Sequence, residues 1–502
     1  MDIHGDYFNQ SEDEEDEEFD DESENSVESD NEQDDFDGGN FTYFEDLDKR
    51  FLIRNNYVFK WYRKNVGGSE YWLCKRCLQH SVTVDNNLIA NENAHSIEDD
   101  VEDVCVHTDD EILCLKTIVK IRKRAYKEIT PIPEIYDDEI ATLNELLSKE
   151  TIHAYIPPFR SIRTALYNIR KKNLPKLPTD ASEIILTEEY SQTVDKKRFL
   201  LFDTNDDDRV IAFCSEDGLD KLSKANQWHI DGTFKAAPSI YYQLIIVHAY
   251  VHGYMFPCCY ILMRNKDYII YKKVLEKLKE ACTSRLNPKQ ITCDFELALI
   301  KALELHFPTA KVKGCLFLYG QCIWKNVNIN GFKTKYAKDE SFKLFVKKLI
   351  ALALIPVNSV LEAYELIKAS LPTNGHTAAK KILAYFKKTW LNGNYPLALW
   401  NHCLTVGPPT NNHVEGFHSK LNKYLKAPHP HIFKLINVFK RYEVTSNVHY
   451  LSILSSSGPL RSSKSVNKDK RINNLTEKFS NKTIDLETLL NQLAPFMGNQ
   501  KN

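Results

Sequence analysis

Residues 227–263 read QWHIDGTFKAAPSIYYQLIIVHAYVHGYMFPCCYILM. Three apolar runs in this stretch, at 227–231, 241–250 and 256–263, predict three consecutive β-strands. Histidines, a glutamine and a proline interrupt the longest apolar run. The pair His252–Gly253 therefore predicts a turn between two buried strands rather than a membrane span. The sequence thus predicts a sheet that is built on three neighbouring strands.

Strands and helices alternate on both sides of this stretch. The pattern predicts strands at 198–202, 209–213 and 311–317, a strand ending at Asp294, helices at 216–224, 268–281 and 297–305, and a helix beginning near Gln321. Three consecutive strands followed by helix, strand, helix and strand predict a mixed sheet with crossover helices. The expected fold class is α/β, and this order of elements is that of the ribonuclease H fold.

A helical segment at about 331–400 interrupts the alternation. Its apolar periodicity predicts helices at 340–354, 359–369 and 377–389. The next predicted helix starts at Asn411 or Asn412, carries Glu415 and runs to about residue 425. The sequence therefore predicts a helical insertion that precedes the helix of Glu415.

Both ends of the chain are expected to be flexible. Residues 1–48 contain 22 Asp and Glu and no Lys or Arg, so an acidic disordered tail is predicted over 1–49. A further helix is predicted at 430–452. The Ser- and Lys-rich residues behind it predict a flexible tail over 446–502 with an amphipathic segment at 484–493. The acidic tail either shields a basic surface from non-specific DNA or only solubilises the chain.

The acidic tail hides the charge of the remaining chain. The formal net charge is −4, and removal of the 22 negative charges in residues 1–48 leaves about +18 on the rest. A basic body indicates a polyanionic partner, and nucleic acid is the commonest one. The first residues are acidic, so no secretory signal is expected. The twelve scattered cysteines are expected to be core residues or metal ligands in a reducing compartment.

Three acidic residues lie at the ends of predicted strands or on a predicted helix, where their carboxylates have fixed positions. Asp231 ends the strand in WHIDGTFK, Asp294 ends the strand in QITCDFELAL, and Glu415 lies on the helix in TNNHVEGFHSKLN. Phosphodiester hydrolysis needs two divalent cations about 3.5–4 Å apart, and Mg²⁺ prefers carboxylate oxygens. If the two strands are neighbours, both Asp side chains lie at one sheet edge. The alternative interpretation of Asp294 is an N-cap for the helix that follows it.

Four blocks of the sequence resemble successive blocks of the MULE (Mutator-like) transposase domain. They are WHIDGTFKAAPSIYYQL, ITCDFELALIKAL, GCLFLYGQCIWK and NNHVEGFHSKLN, with PLALWN ahead of the last block and HPHIFK behind it. The resemblance covers roughly residues 198–445. It implies a ribonuclease H-like core with a helical insertion, and metal-dependent DNA cleavage and strand transfer.

The resemblance also implies roles for particular residues. Asp231, Asp294 and Glu415 would form a catalytic D-D-E triad that binds Mg²⁺ or Mn²⁺, with water as the first nucleophile and a freed 3′-hydroxyl as the second. Four residues are expected to position the substrate: His418, Asn411, Asn412 and Lys235. The implied partners are double-stranded DNA, at transposon ends and target, and further copies of this chain. The implied location is the nucleus.

One position departs from the family pattern. The family commonly has a Cys-x-x-His pair after the second Asp, whereas this sequence has Cys315 and, in place of the histidine, Leu318. Cys315 is then expected to be a buried strand residue. The intact carboxylates favour an active transposase. Leu318 favours a domesticated, non-catalytic DNA-binding or regulatory protein.

Aromatic residues, cysteines and histidines are concentrated in residues 50–108. The stretch YVFKWYRKNVGGSEYWLCKRC supplies a W-x-C motif at Cys74 and then Cys77, and His95 follows in ENAHSIED. These features resemble a FLYWCH zinc finger, which implies Zn²⁺ on Cys74, Cys77 and His95. Ile97 occupies the position of the second histidine, so the fourth ligand stays open among His80, Cys105 and His107. The alternatives are a metal-free module and a zinc-finger adaptor that binds protein.

Residues 109–197 are predicted to form a helical, basic DNA-binding or linker region. Helices are predicted at 111–127, with Lys120, Arg122, Lys123 and Arg124, and at 160–172, with Arg160, Arg163, Arg170, Lys171 and Lys172. Either helix is a candidate for DNA contact. The alternatives are a solvated surface and, for residues 120–124, a nuclear-localisation signal. The segment NLPKLP at 173–178 predicts a linker.

Overall fold

The computed structural model of the chain contains two compact units, residues 1–176 and 177–502. The described residues are 41–47, 49–93, 105–128, 130–282, 286–372, 375–405, 407–410, 412–425, 427–455 and 463–497. Most of the predicted acidic tail, residues 1–40, lies outside them. The unit boundary falls before the predicted boundary at residue 197, because residues 177–197 pack within the second unit. The ring of Tyr190 there lies 4.5 Å from that of Phe433.

A six-stranded antiparallel meander forms the first unit's sheet, and each strand pairs with the next along the chain. The strands are β1 (Thr42–Asp46), β2 (Lys49–Arg54), β3 (Tyr57–Lys64), β4 (Glu70–Cys74), β5 (Ser81–Asp85) and β6 (Leu88–Asn93). The sheet begins before the predicted start of this module at residue 50, because Thr42 already pairs with Ile53. The buried side chains of Phe41 and Phe44 hold β1, and the acidic composition around them conceals this signal.

Apolar clusters lie on both faces of this sheet. One cluster contains Phe41, Leu52, Phe59, Trp72, Cys74, Val82, Val84 and Cys105. On the other face, Val119 of helix α1 (Asp109–Lys127) joins Phe44, Phe51 and Val58. Helices α2 (Ile132–Asn144), α3 (Lys149–Tyr155) and α4 (Phe159–Asn173) complete the unit. Residues 109–173 therefore extend the core of the sheet module.

The second unit contains a mixed seven-stranded sheet. Its strands are β7 (Leu200–Asp203), β8 (Ile211–Phe213), β9 (Gln227–Thr233), β10 (Gln243–Val251), β11 (Tyr254–Met263), β12 (Gln290–Cys293) and β13 (Lys311–Gly314). Their order is β13-β12-β9-β10-β11-β8-β7, with β9, β12 and β13 parallel. His252 and Gly253 form the turn between β10 and β11, with φ angles of 53° and 89°. Such positive angles are what a two-residue hairpin turn requires.

Helices surround this sheet. They are α5 (Glu188–Ser191), α6 (Glu216–Lys224), α7 (Tyr268–Ala281), α8 (Leu297–His306), α9 (Leu316–Ile329), α10 (Lys333–Lys338), α11 (Glu340–Ala351), α12 (Val360–Ala369), α13 (His376–Phe386), α14 (Leu397–Trp400), α15 (Asn412–Leu425), α16 (Ile432–Ser455), α17 (Ser463–Ser480) and α18 (Leu486–Leu493). Single 3₁₀ turns lie at Ala181–Glu183, Leu352–Leu354, Val357–Ser359 and Ala494–Phe496, and a π-helical turn lies at Lys387–Leu391. None of the helices in the described ranges is both long and apolar enough to cross a lipid bilayer.

The two faces of the second sheet pack different helices, because alternate residues of a strand point to opposite sides. Trp228 of β9 faces α6 and the end of α8, where its ring lies 5.3 Å from Phe307. Tyr260 of β11 faces the other side and stacks on Phe439 of α16 at 4.1 Å. Asp231 shares the face of Tyr260, since both residues pair with Ile246 of β10.

Two predicted segments differ from the structure. The strand predicted at 311–317 ends at Gly314, because residues 316–329 bury Tyr319, Ile323 and Val327 at helical spacing and form α9. The C-terminal residues predicted as a flexible tail contain α17 and α18. Four buried leucines hold α18 on the core of this unit, namely Leu486, Leu489, Leu490 and Leu493. Residues 456–462 and 498–502 of that tail lie outside the described part of the chain.

Candidate functional site

Asp231 and Asp294 lie side by side toward the carboxyl ends of β9 and β12, two neighbouring strands inside the second sheet. Strands β9 and β12 pair from Gln227 opposite Gln290 to His229 opposite Thr292, and each Asp stands two residues beyond that last pair. The two carboxyl groups share a hydrogen bond, and the side chain of Asp231 is only 11% exposed. Asp231 Oδ1 also accepts the N–H of Gly232 at 2.9 Å. Strand pairing therefore fixes both carboxyl groups.

Burial and mutual repulsion oppose full ionisation of this pair. Burial, reinforced by the neighbouring carboxylates of Asp231, Glu296 and Glu415, raises the pKa of Asp294 well above its usual range. Burial also raises the pKa of Asp231, although His418 and the hydrogen bonds from Asp294 and Gly232 favour its charged form. Burial and repulsion therefore favour a pair that retains one proton over a pair of two carboxylates.

Helix α15 carries Glu415 and His418 to the same sheet edge. Buried leucine and valine side chains fix the helix on the sheet, at Val414, Leu421 and Leu425. His418 Nδ1 lies 3.4 Å from Asp231 Oδ2. Glu415 lies close enough to Asp294 to raise the pKa of that carboxyl. The three predicted carboxylates are thus neighbours, although they come from two strands and a helix far along the chain.

The side chain of His418 is largely buried beside Asp231. Burial lowers its pKa, and the nearby Asp231 opposes this shift only in part. The adjacent Phe417 ring lies 4.9 Å from Tyr442 of α16 and 5.5 Å from His248 of β10. Apolar contacts therefore place His418 against Asp231.

The other residues predicted to position substrate are placed as follows. Asn411 lies outside the described residues, and Asn412 is the first residue of α15, with a side chain that the structure does not describe. Lys235 is exposed in the loop after β9, and its carbonyl oxygen accepts the N–H of His429 at 2.8 Å. The loop is thereby tied to the segment between α15 and α16, with the Lys235 side chain directed to solvent.

The alternative interpretation of Asp294 as an N-cap is wrong, because α8 begins at Leu297 and its N-cap residue is Glu296. The Glu296 carboxylate accepts the Tyr271 O–H at 3.1 Å, and Tyr271 accepts an N–H of Gln243 at 2.7 Å. Glu296 also raises the pKa of Asp294. It is a fourth acidic residue at this site that the predicted triad does not include, although it lies only two positions after Asp294.

Cys315 and Leu318 lie at the start of α9. Cys315 is buried, as predicted, but as the N-cap residue of α9 rather than within a strand, and its N–H donates to the carbonyl of Cys293 at 2.9 Å. Leu318, at the position of the family histidine, packs against the apolar core. The side chain at this position therefore contributes to packing and offers no polar atom.

A second candidate site lies in the first unit. The sulfur atoms of Cys74, Cys77 and Cys105 all lie within 4.8 Å of one another, a tighter cluster than the three carboxylates form. The backbone N–H groups of Gln79 and His80 both donate to Cys77 Sγ at 3.4 Å. Amides that point at a sulfur atom stabilise a thiolate, so this turn is suited to a metal such as zinc.

Interactions within the cluster shift the thiol pKa values in opposite directions. Burial opposes ionisation of Cys77, but the two amides and the neighbouring thiols outweigh it and lower the pKa to about 7. Burial, together with Cys77 and Cys74, raises the pKa of Cys105 to about 12. Within the cluster, ionisation is therefore favoured at Cys77 and disfavoured at Cys105.

The predicted zinc ligands agree only in part with the cysteine cluster of the structure. Cys74 and Cys77 are in the cluster, His95 lies outside the described residues, and Cys105 is the third sulfur. His107 follows two positions later and is buried, and among the described residues its Nδ1 has no hydrogen-bond partner. His80 Nε2 lies 3.1 Å from a Glu92 carboxylate oxygen instead.

The cations of α1, which were predicted as a DNA-contact candidate, are engaged within the unit. Lys120 pairs with Glu139, Arg122 with Asp46, and Arg124 with Glu128 and Glu139. Helix α4 is different, since one face carries the exposed residues Arg160, Arg163, Tyr167 and Lys171 at spacings of three and four. Among the described residues, none of these three cations forms an ion pair. One cationic face of this unit is therefore on α4.

The β3–β4 hairpin presents further cations together with aromatic rings. Lys60, Arg63 and Lys64 are exposed on β3, and Trp61 and Tyr62 are 36% and 59% exposed. The Arg63 guanidinium lies 5.2 Å from the centre of the Tyr71 ring. Exposed rings between cations are a combination that binds nucleic acid through phosphates and base stacking. From the sequence alone, these aromatic residues indicate only a zinc-finger-like module.

Comparison with known families identifies a MULE transposase domain at residues 227–321. The match covers 95 of the 502 residues and includes Asp231 and Asp294, whereas Glu415 lies beyond it. The resemblance noted in the sequence is therefore confirmed for this segment. No curated protein matches the chain.

Proposed function

Since the chain contains a MULE transposase domain, we propose that its second unit cleaves DNA phosphodiester bonds and transfers the resulting strands. Asp231, Asp294 and Glu415 are the proposed ligands of two divalent cations, Mg²⁺ or Mn²⁺. The observation that carries the proposal is the parallel pairing of β9 with β12, which sets Asp231 beside Asp294 inside the matched segment. Glu415 on α15 supplies the third carboxylate.

The carboxylate oxygens of Asp231, Asp294 and Glu415 are ligands that suit hard divalent cations such as Mg²⁺. The raised pKa of Asp294 reflects negative charge that burial and neighbouring carboxylates leave uncompensated. Among the described residues, Asp294 Oδ1 is buried and has no hydrogen-bond partner, so it offers a free acceptor. A cation at this edge would replace the shared proton and satisfy that oxygen. When bound, two such cations supply activation of the attacking oxygen and stabilisation of the leaving oxygen.

The chain's own residues hold this geometry in place. Asp231 and Asp294 are fixed by strand pairing, and Glu415 is fixed by a helix packed on the same face. His418 acts as a positioning residue, since it lies beside Asp231 and limits the orientations of that carboxylate. Glu296 is held by Tyr271 and adds negative charge that favours cation binding.

The order of elements supports a ribonuclease H-like assignment for this unit. Strands β9, β10 and β11 are followed by α7, β12, α8 and β13, and the helical segment α10–α14 precedes α15. This succession is the one that the family resemblance implies. We propose on this basis that residues 331–400 are an insertion into a ribonuclease H-like fold.

For the first unit we propose a zinc-stabilised DNA-binding module. Cys74, Cys77 and Cys105 are three proposed ligands, and His107 is the proposed fourth because it is buried next to Cys105. The cations of α4 and the β3–β4 hairpin are the proposed DNA contacts. Action on chromosomal DNA would place the protein in the nucleus, and strand transfer between two transposon ends would require more than one copy of the chain.

One observation favours a second function. Leu318 packs in the core at the position where the family has a histidine, so this chain lacks one polar group that the family commonly presents near the triad. A domesticated protein that retains DNA binding without cleavage would tolerate this change. A zinc-finger adaptor for protein is less favoured, since α4 and the β3–β4 hairpin of the first unit both expose clustered cations.

The two functions are distinguished by a cleavage assay. Purified full-length protein is incubated with Mg²⁺ and labelled duplex DNA that carries the genomic sequences flanking the coding sequence. Asp231→Asn and Asp294→Asn are compared with Asp207→Asn, a change at an exposed carboxylate outside the site. Transposase activity predicts cleavage and joining by wild type and Asp207→Asn only. Equal products from wild type and both site variants would overturn the proposal, and DNA binding without products would favour the domesticated function.

A further inference from the structure

A cavity of about 650 Å³ opens at the amino-terminal ends of β9, β12 and β13, away from the carboxylates. Its lining includes Gln227 of β9, which is four residues before Asp231. At about 3.3 Å per strand residue, the two positions are ~13 Å apart. The cavity is therefore separate from the proposed catalytic site, and nothing in that function uses it.

The cavity is positively charged. Lys224, Lys289 and Lys311 line it, and no Asp or Glu is among the described residues that do so. Lys224 is neutralised by Asp220 at 2.6 Å, whereas Lys289 and Lys311 have no acidic partner among the ion pairs of the described chain. Lys289 and Lys311 are held next to each other, because the Lys311 N–H donates to the Lys289 carbonyl at 2.9 Å. Two adjacent unpaired cations attract a doubly charged anion.

The other lining residues are mainly aromatic, apolar and amide side chains, which suit a planar ligand. The rings of Tyr250 and Tyr450 and the side chain of Leu404 line the cavity, and Leu404 is 85% exposed at its lip. Gln227 and Gln290 also line the cavity, and Gln290 Nε2 has no hydrogen-bond partner among the described residues. Aromatic and apolar walls with amide groups suit a nucleobase, which stacks on rings and bonds to amides.

The wall at Gly407 is a fixed part of the cavity. Gly407 has a φ of 88°, and a Cβ there would collide with Gln227 Oε1 and crowd the Tyr250 ring. Gln227 Nε2 donates to the Pro408 carbonyl at 3.1 Å, and the Leu316 N–H donates to the Pro409 carbonyl at 3.0 Å. Hydrogen bonds on two sides thus hold this backbone in place, and its positive φ favours glycine at residue 407.

From these features we propose that the cavity binds a nucleotide, with its phosphate at Lys289 and Lys311 and its base between Leu404 and the tyrosine rings. The ligand is either a free nucleotide or one nucleotide of a DNA strand, since both present the same phosphate and base. This site does not depend on the carboxylates, so its binding should persist when the proposed catalytic function is removed.

The test is a calorimetric titration in EDTA with three probes, namely 2′-deoxyadenosine 5′-monophosphate, 2′-deoxyadenosine and inorganic phosphate. Wild type and Asp294→Asn should bind the monophosphate equally, and at least tenfold more tightly than either fragment. The charge reversals Lys289→Glu and Lys311→Glu together should weaken that binding at least tenfold, and Leu404→Ser should weaken it less. The pair Lys333→Glu and Lys338→Glu makes the same charge change at exposed positions on α10 and should leave binding unchanged.

A competition experiment distinguishes the two sources of the ligand. Displacement of a labelled single-stranded oligonucleotide by the monophosphate would assign the cavity to a DNA strand, and monophosphate binding without displacement would assign it to a free nucleotide. Three results would overturn the proposal: no monophosphate binding by wild type, unchanged binding in the Lys289 and Lys311 variant, or phosphate alone binding as tightly as the monophosphate.

Discussion

His418 Nδ1 lies 3.4 Å from Asp231 Oδ2, although 187 positions separate the two residues in the sequence. The helical segment of residues 331–400 lies between them along the chain, so this contact exists only because α15 returns to the edge of the second sheet. The same helix carries Glu415 three residues earlier, on the same helical face. A change at His418 therefore reports on the geometry of the carboxylates without removing a proposed metal ligand.

Replacement of His418 by alanine is expected to slow DNA cleavage by about 10–100-fold, the usual cost of removing a group that orients a metal ligand. The loss should be partly recovered at higher Mn²⁺ concentration, because the ligands themselves remain. Cleavage rates measured as a function of Mn²⁺ concentration test this. A variant that retains the wild-type rate at every concentration would show that His418 has no positioning role.

Replacement of Asp294 by asparagine is expected to stabilise the metal-free protein. Burial and neighbouring carboxylates raise the pKa of Asp294 in the folded chain, so its contribution to stability is present at low pH and is lost as the pH rises through that raised pKa. The amide carries no charge and escapes this loss. In EDTA, the melting temperature of Asp294→Asn should exceed that of wild type, by about 1–2 °C for each kcal/mol gained in a unit of this size.

The pH dependence of this difference in melting temperature provides a control for the prediction. The difference in melting temperature between Asp294→Asn and wild type should grow from acid to neutral pH, and saturating Mg²⁺ should reduce it by stabilising wild type. Asp207→Asn should show neither effect, since Asp207 is exposed. A wild-type protein more stable than Asp294→Asn in EDTA at neutral pH would contradict the proposed electrostatics.

Zinc content separates the possible ligand sets of the first unit. Wild type and His95→Ala are expected to retain one zinc ion per chain, because the described sulfur cluster uses Cys105 as its third member. Cys105→Ser should lose the ion and unfold the first unit at a lower temperature, since structural zinc contributes directly to folding. His107→Ala should weaken zinc binding. Elemental analysis of purified variants measures this, and zinc loss in His95→Ala with retention in Cys105→Ser would exclude the proposed set.

DNA binding is expected to depend on the exposed cations of α4. Arg160→Ala and Arg163→Ala together should lower affinity and reduce the magnitude of the slope of log K against log salt by about 1.8, because each phosphate that a cation neutralises adds ~0.9 to that slope. Lys149→Ala removes an exposed cation on α3 and should change neither quantity. Fluorescence anisotropy over a range of salt concentrations measures the slope. An unchanged slope in the double variant would place the DNA-binding surface elsewhere.

Local periodicity accounts for the parts of the fold that the sequence predicted. The bounds of α6 and α7 agree with those predicted, and the His252–Gly253 turn lies where expected. The neighbouring positions of Asp231 and Asp294 followed from the parallel pairing of two strands, although β9 continues to Thr233, two residues beyond the strand end that was predicted at Asp231. These features depend on residues close together in sequence or on the general geometry of sheets.

Features that depend on distant partners could not be predicted from the pattern. Strand β1 is acidic in sequence, yet Asp46 is buried because Arg122 pairs with it from α1. Cys105 joins Cys77 across 28 positions, and the sequence could name it only as one of three candidates for the open zinc position, beside His80 and His107. The cations of α1 read as a DNA-binding surface until their acidic partners on other segments are known.

The central claim is that Asp231, Asp294 and Glu415 bind a shared pair of divalent cations. Anomalous diffraction from crystals of the full chain soaked in Mn²⁺ tests it most directly. We predict two manganese peaks about 3.5–4 Å apart beside the Asp231 and Asp294 carboxylates, with Glu415 coordinating one of them and both peaks lost in Asp294→Asn. A wild-type crystal with no manganese at this edge, or with Glu415 turned away from the bound metal, would contradict the claim.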